Sequence, residues 1–210
     1  MHMRKILVSL VTGLLAAGAS AQSLRFISAG PGVYCHFDAS CQVSPSEQSD
    51  SAAVTNSAVT CVLKSRTIVG SSMDSKGTYG YEYEITLNGN GSSDTNVVAV
   101  DSLSLLFGSP VPFAYGLHSS NFVWVLTSGG PVGVAPSGCN VSGQKVTFQF
   151  SPPITLATQT GQSVNTCYFG LVGGGAPGAT TATLSGSVED VASNTVPFTL
   201  MVQAQTPAGN

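Results

Sequence analysis

Residues 78–87 read TYGYEYEITL. Tyr79, Tyr81, Tyr83, Ile85 and Leu87 occupy alternate positions, with Gly80, Glu82, Glu84 and Thr86 between them. Successive side chains of an extended chain point to opposite faces, so this period of two predicts a half-buried β-strand. The turn-rich NGNGSSD of residues 88–94 ends it, because Asn-Gly readily takes positive φ. The same alternation places Glu82 and Glu84 on one face, roughly 7 Å apart by strand rise. That separation falls in the range used by inverting glycosidases. Paired acids on an open strand more often solvate it and discourage edge pairing, and an open face does not raise an acid's pKa. The pair therefore reads as a solvated face.

No stretch sustains a helical stripe, and the period of two recurs along the chain. Further strands are expected at 59–69, 97–107, 122–127, 145–150, 164–172, 180–188 and 196–204, with shorter ones at 24–28 and 33–37. Gly, Pro, Asn and Ser punctuate them at Pro110 and Pro112, Gly129 to Pro131, Pro152-Pro153 and residues 173–178. Pro197 marks an edge strand or the first residues of the last one. The polar stretch 44–58, SPSEQSDSAAVTNSA, reads as a mobile loop. About nine strands with this punctuation predict an all-β fold: a single antiparallel two-sheet β-sandwich, Ig-like or jelly-roll-like.

The N-terminus has the composition of an export leader. Arg4 and Lys5 precede an apolar run at 6–17, and Ala19-Ser20-Ala21 fits a cleavage site after Ala21. The run is shorter than the ~20 residues a spanning helix needs. This predicts a signal peptide over 1–21 and one secreted domain over 22–210, with no membrane span after cleavage. The C-terminus, ending VPFTLMVQAQTPAGN, offers no second apolar span and no sorting motif. Seven basic and ten acidic residues give a net charge of −3, and only 8% of the chain is charged. Such a surface has no electrostatic footprint for nucleic acid or an anionic membrane.

Export makes disulfides the default use of cysteine, and the five present leave an odd one. The expected bridges are Cys35–Cys41 and Cys139–Cys167. Cys61 alternates with Val59 and Leu63 and reads as a buried free thiol. A Cys41–Cys61 bridge is the main competitor. The loop YCHFDASC at 34–41 holds His36 and Asp38 between two cysteines, but it lacks zinc-ligand spacing and its thiols are expected to be oxidised. It reads as a disulfide-closed loop, which would restrain the unfolded chain by about 2 kcal/mol.

No G-x-S-x-G is present, and His36 and His118 are the only histidines after the leader. No catalytic residue, metal ligand or cofactor site is therefore expected. Asn88, Asn90, Asp94 and Asn96 loosely resemble a Ca²⁺ loop over 88–96, yet a hairpin turn explains the same residues. Trp124 shares a face with Phe122 and Leu126 and reads as core. The loop 110–121, PVPFAYGLHSSN, carries Phe113, Tyr115 and His118 between prolines and serines. Those residues either plug the end of the fold or form a contact surface for sugars or proteins.

The order GYEYEITL, VDSLSLLFGSPVPFAY, VWVLTSGG, VTFQFSPPI, GQSVNTCYFGLV and APGATTATLSG is similar to uncharacterised bacterial secreted β-sandwich domains. Some of these belong to surface proteins with a C-terminal PEP-type sorting signal, which this chain lacks. The resemblance covers roughly residues 59–190 and implies a fold and an extracellular location, with no catalytic residues. The expected function is a non-enzymatic extracellular or cell-surface role: structural, matrix or adhesive. The alternatives are a carbohydrate-binding module and a fibre subunit that assembles by β-strand addition through 196–204 or 24–28. Partners would be glycans, other surface proteins or further copies of the chain.

Overall fold

The computed structural model of the protein describes residues 21–92, 95–158 and 161–209, with the backbone alone at 118, 119 and 121. Residues 1–20, which carry most of the expected leader, and Asp94 lie outside the described residues. Fifteen strands occur among those described, rather than about nine. They are β1 (Gln22–Ser23), β2 (Phe26–Ala29), β3 (Ser46–Ala53), β4 (Val59–Val69) and β5 (Tyr79–Gly89), then β6 (Val97–Leu106), β7 (Phe113–Tyr115), β8 (His118–Asn121), β9 (Val123–Leu126) and β10 (Gly138–Ser142). The last five are β11 (Lys145–Ala157), β12 (Ser163–Asn165), β13 (Phe169–Gly173), β14 (Pro177–Glu189) and β15 (Thr195–Pro207).

Two sheets account for most of the chain. One has six strands in the order β1-β10-β11-β6-β14-β15. The other has seven, in the order β2-β9-β13-β5-β4-β3, with β12 also pairing β5. Pairing is antiparallel except for β2 against β9, and β7 and β8 form a separate small hairpin.

The extra strands are those that hydrophobic periodicity does not mark. Residues 46–53, read as part of a mobile loop, form β3, whose eight residues pair in continuous register with Thr60–Thr67 of β4. Its side chains are mostly exposed, so backbone hydrogen bonds hold it rather than an apolar face. The expected strand at 164–172 is divided into β12 and β13. Pro152-Pro153 does not end a strand: β11 continues through it to Ala157 by a register shift between Gln149 and Ile154. The short strand expected at 33–37 is instead a 3₁₀ helix, Pro31–His36, with Pro at its start. Proline's fixed φ suits the first turn of a helix, and the turn lets Val33 and Phe37 both point inward.

The opening stretch is β5, a central strand, and its tyrosine face is buried as expected. Tyr81, Tyr83, Ile85 and Leu87 are fully inaccessible. They join one cluster drawn from both sheets, with Leu103, Phe148, Ile154 and Leu184 from the six-stranded side. Phe148 makes the bridge: its ring lies 6.2 Å from Tyr83 and 4.7 Å from Phe169. Each fully buried side chain of this size contributes about 1.5–3 kcal/mol of burial free energy. The buried hydroxyls are satisfied, Tyr81 donating to the Gly175 carbonyl at 2.7 Å and Tyr83 to that of Gln205 at 2.8 Å.

The edges are closed in two ways. The N-terminal segment supplies β1 to one sheet and β2 to the other, so it borders both. On the opposite side β15 lies along β3 and β4. The Gln203 N–H donates to Asp50 Oδ2 at 2.7 Å, and the Gln205 N–H donates to Ser65 Oγ at 3.0 Å. Proline at 197 and 207 removes further outward donors in the same alternation, so Pro197 does lie on an edge strand.

Candidate functional site

Cys35 and Cys41 form a disulfide, while Cys61, Cys139 and Cys167 are buried free thiols. The expected Cys139–Cys167 bridge is absent. Cys139 sits on β10 of the six-stranded sheet, and Cys167 precedes β13 of the other, with its thiol against the Val134 carbonyl. Burial pushes the Cys61 and Cys139 thiols up to about 12, so neither is a reactive thiolate at neutral pH.

Within the disulfide loop His36 and Asp38 part company. Asp38 accepts hydrogen bonds from the backbone N–H and hydroxyl of Ser40 and from Ser71 Oγ, which hold its carboxyl below the usual range. It ties the loop to the 71–75 turn. His36 packs edge-on to Phe37 at 5.0 Å and against Phe113 at 5.2 Å, and Ser72 Oγ donates to its carbonyl. Among the described residues no three His, Cys, Asp or Glu side chains gather as a metal site. In the 88–96 turn, Asn90 Oδ1 accepts from Ser92 N–H and Asn88 Oδ1 accepts from Ser163 Oγ. The first closes a local turn and the second ties β5 to β12.

The largest departure from expectation is the outward face of β5. Glu82 is fully buried and Glu84 nearly so, where a solvated face was expected. Residues 30–43 cross over this face and build a second apolar cluster on it, including Val33, Phe37, Ile68, Phe113, Trp124 and Tyr168. Gly80 makes the crossing possible: a Cβ there would stand 2.7 Å from the tip of the Phe37 ring. Trp124 is core, as expected, but in this outer cluster. Its Nε1–H donates to Glu82 Oε1 at 2.7 Å. Arg66 Nε pairs with Glu82 Oε2 at 2.6 Å, and its Nη2 donates to Tyr34 Oη at 2.6 Å. The Arg66 guanidinium also stacks 3.6 Å from the Tyr168 ring centroid. Burial pushes the Glu82 carboxyl up, against the opposing pull of Arg66 and the Trp124 donor. A fully buried carboxylate with both oxygens engaged by protein donors is unreachable by substrate. Lys64 bridges Glu84 at 3.2 Å. A sequence signal for this network existed: Lys64-Ser65-Arg66 lies directly opposite Glu84-Tyr83-Glu82 in the β4–β5 register.

The aromatic loop divides the two roles open to it. Phe113 is buried, 5.2 Å from Trp124 in an edge-to-face contact, so it is a plug and not a contact residue. Tyr115 is half-exposed and closes β7, from which Gly116 and Leu117 turn the chain into β8. The His118 side chain lies outside the description. Tyr115 stands between two grooves. The first, of about 540 Å³, is lined by Gly32, Cys35, His36, Asp74, Pro112 and the 113–116 segment. The second, of about 450 Å³, runs along 25–28 to Tyr115, Gly116 and Leu117. Burial holds the His36 imidazole below its ordinary value, with Asp74 pulling the other way.

A second exposed feature lies on the six-stranded sheet. Registered across β11, β6 and β14 are Thr147, Ser104 and Thr183, followed by the exposed Met201 on β15, and in the next row Gln149, Ser102 and Ser185 followed by Thr199 on β15. Their strand neighbours enter the core, so these side chains face outward. Lys145 and Asp101 bound the patch, and Ser104 and Thr147 share a hydroxyl–hydroxyl contact at 2.9 Å within it. No protein-family model matches the chain, and no curated protein or solved structure matches it either.

Proposed function

We propose that the chain is a bacterial secreted protein, exported by cleavage after Ala21. Its residues 22–210 form one antiparallel two-sheet β-sandwich with a non-enzymatic matrix or adhesive role outside the cell or at its surface. The sandwich reading is supported by the single cluster fed from both sheets and by the β15 seam. The export reading rests on the leader composition and agrees with an oxidised Cys35–Cys41 pair. The role rests on one observation, the uncharged Ser/Thr/Gln rows on the outer face of the six-stranded sheet.

A soluble domain ordinarily devotes about 25% of its residues to charge. A protein–protein interface is ordinarily marked by aromatic and Met anchors. At its centre this patch has neither charge nor an aromatic ring, and its one exposed methionine, Met201, lies at the β15 margin, so uncharged hydrogen bonding is its main chemistry. A neutral, hydroxyl-bearing polymer surface is its matching partner. Polymerisation by strand addition at 196–204 is less well served. Asp50 and Ser65 already occupy outward donors of β15, and a donor strand would have to displace them.

Adsorption of residues 22–210 from dilute solution to insoluble neutral polysaccharide tests the role. The wild-type chain is expected to be retained, and the doubly substituted Ser104→Lys, Ser185→Lys chain to stay in solution. Equal retention of the two, or no retention of either, rejects the patch as the adhesive surface.

A further inference from the structure

The geometry points to a second binding site at the other end of the molecule, where an uncharged oligosaccharide lies across Tyr115 with one unit in each flanking groove. This site is independent of the sheet patch. The first groove has a fixed floor. The His36 ring is wedged against Phe37 and Phe113, and Phe113 is itself packed on Trp124, so the imidazole cannot swing away. The disulfide holds the backbone that carries it. Its depressed pKa keeps the ring neutral near pH 7, which leaves one ring nitrogen as donor and the other as acceptor.

Asp74 lines the same groove as a carboxylate acceptor, and the half-exposed Tyr115 contributes a ring face and a hydroxyl. A carboxylate that accepts from two hydroxyls, an imidazole that both donates and accepts, and an aromatic face match vicinal hydroxyls on a pyranose ring. The groove's volume, about 540 Å³, lies within the range of small-molecule sites.

Other ligand classes fit less well. Arg25 lines the second groove, but no Lys or Arg lines the first, and Asp74 repels an anion there. One carboxylate falls far short of the six to eight oxygens a Ca²⁺ ion takes. Two grooves sharing Tyr115 and Gly116 set the minimum length of ligand. A single sugar fills one side of the ridge, whereas a chain of two or more units uses both. Tyr115 is then the stacking platform, and Asp74 and His36 select hydroxyls on one side of it.

NMR titration of residues 22–210 tests this with soluble cello-, chito-, malto- and xylo-oligosaccharides, their monosaccharides, and alginate oligomers as the anionic comparison. At least one neutral oligosaccharide should shift the amide resonances of residues 32–36, 74 and 113–117, and bind at least tenfold more tightly than its monosaccharide. Tyr115→Ala, which also trims packing on the outer cluster, should weaken that binding at least tenfold in a chain whose amide spectrum remains that of the folded protein, and Asp74→Asn should weaken it less. The Ser104→Lys, Ser185→Lys chain should bind as wild type, which separates this site from the adhesive patch. Shifts by none of the neutral oligosaccharides, tighter binding of alginate, or a Tyr115→Ala chain that binds as wild type would each overturn the assignment.

Discussion

On the inward side of β5, Tyr83 meets Phe148 and Phe169 from strands of both sheets, in a cluster of aliphatic and aromatic side chains. On the outward side of the same strand, one residue away, Glu82 meets Arg66, Tyr34 and Trp124 beneath residues 30–43. Both sides exclude water. The inward side does so by apolar area, which is non-directional and tolerates volume-conserving exchange. The outward side has its own apolar cluster but encloses within it an ion pair whose hydrogen bonds must be made, because an unpartnered charge there has no solvent to turn to. The difference teaches that burial by itself does not identify what stabilises a face. Both faces are sensitive to volume, and the outward one is sensitive to charge as well.

That contrast can be broken by substitution. The largest effect is expected from Phe148→Ala, which removes the ring bridging the two sheets. A loss of roughly 3–5 kcal/mol should appear in urea unfolding, with the whole chain unfolding together. A loss under about 1 kcal/mol would show that the inward cluster is not the main source of stability.

Arg66→Met keeps much of the side-chain volume but leaves the Glu82 carboxylate unpaired, and should cost about 3 kcal/mol. Adding Glu82→Gln to it should recover part of that loss, because the charge is removed while the amide oxygen still accepts from the buried Trp124 Nε1–H. The equivalent polar exchange on the inward face has no such rescue. Urea titrations of the single and double variants check both statements, and a double variant no better than Arg66→Met would reject the comparison.

The smallest effect concerns pH. The folded pKa of His36 is lowered by burial, so the unfolded chain takes up its proton first as pH falls. The stability His36 preserves is therefore complete above the unfolded value near 6.5 and declines as pH drops through it toward the lowered folded value. Melting temperatures at pH 7.5 and pH 5.0 should show a decline that His36→Gln reduces. An identical decline in that variant would mean that other groups cause it. Asp38 and Asp190 have lowered values and lose their contribution only in more acidic solution, whereas burial moves the Glu82 carboxyl up toward this window, so the comparison with His36→Gln is what assigns the imidazole's share.

The sequence made the inward face legible and left the outward one hidden. TYGYEYEITL placed Tyr81, Tyr83, Ile85 and Leu87 on one face because side-chain parity is a local property of an extended chain. It also marked the buried Cys61 and the end of β5 at the Asn-Gly pair 88–89. It misjudged Glu82 because the partners that bury that carboxylate are 48 and 42 residues away, at Tyr34 and Trp124. The opposed Lys64-Ser65-Arg66 could have hinted at pairing, but only once the β4–β5 register was known. At the candidate site, the sequence singled out Phe113 and Tyr115 together, and packing separated them into a plug and a groove wall. Asp74 was not singled out at all, since nothing near it in the chain marks a turn residue as facing a histidine 38 positions earlier.

The sequence by itself determined the strand-rich class, the parity of β5, the uncharged character of the surface and the leader-like start, all of which depend on composition or on near neighbours. Tertiary structure decided which cysteines pair, that the polar stretch 46–53 is a strand, and what covers the second face of the seven-stranded sheet. The physical reason is common to all three. Period-two alternation states that a strand has two faces, but only contacts between distant segments state what lies against each of them.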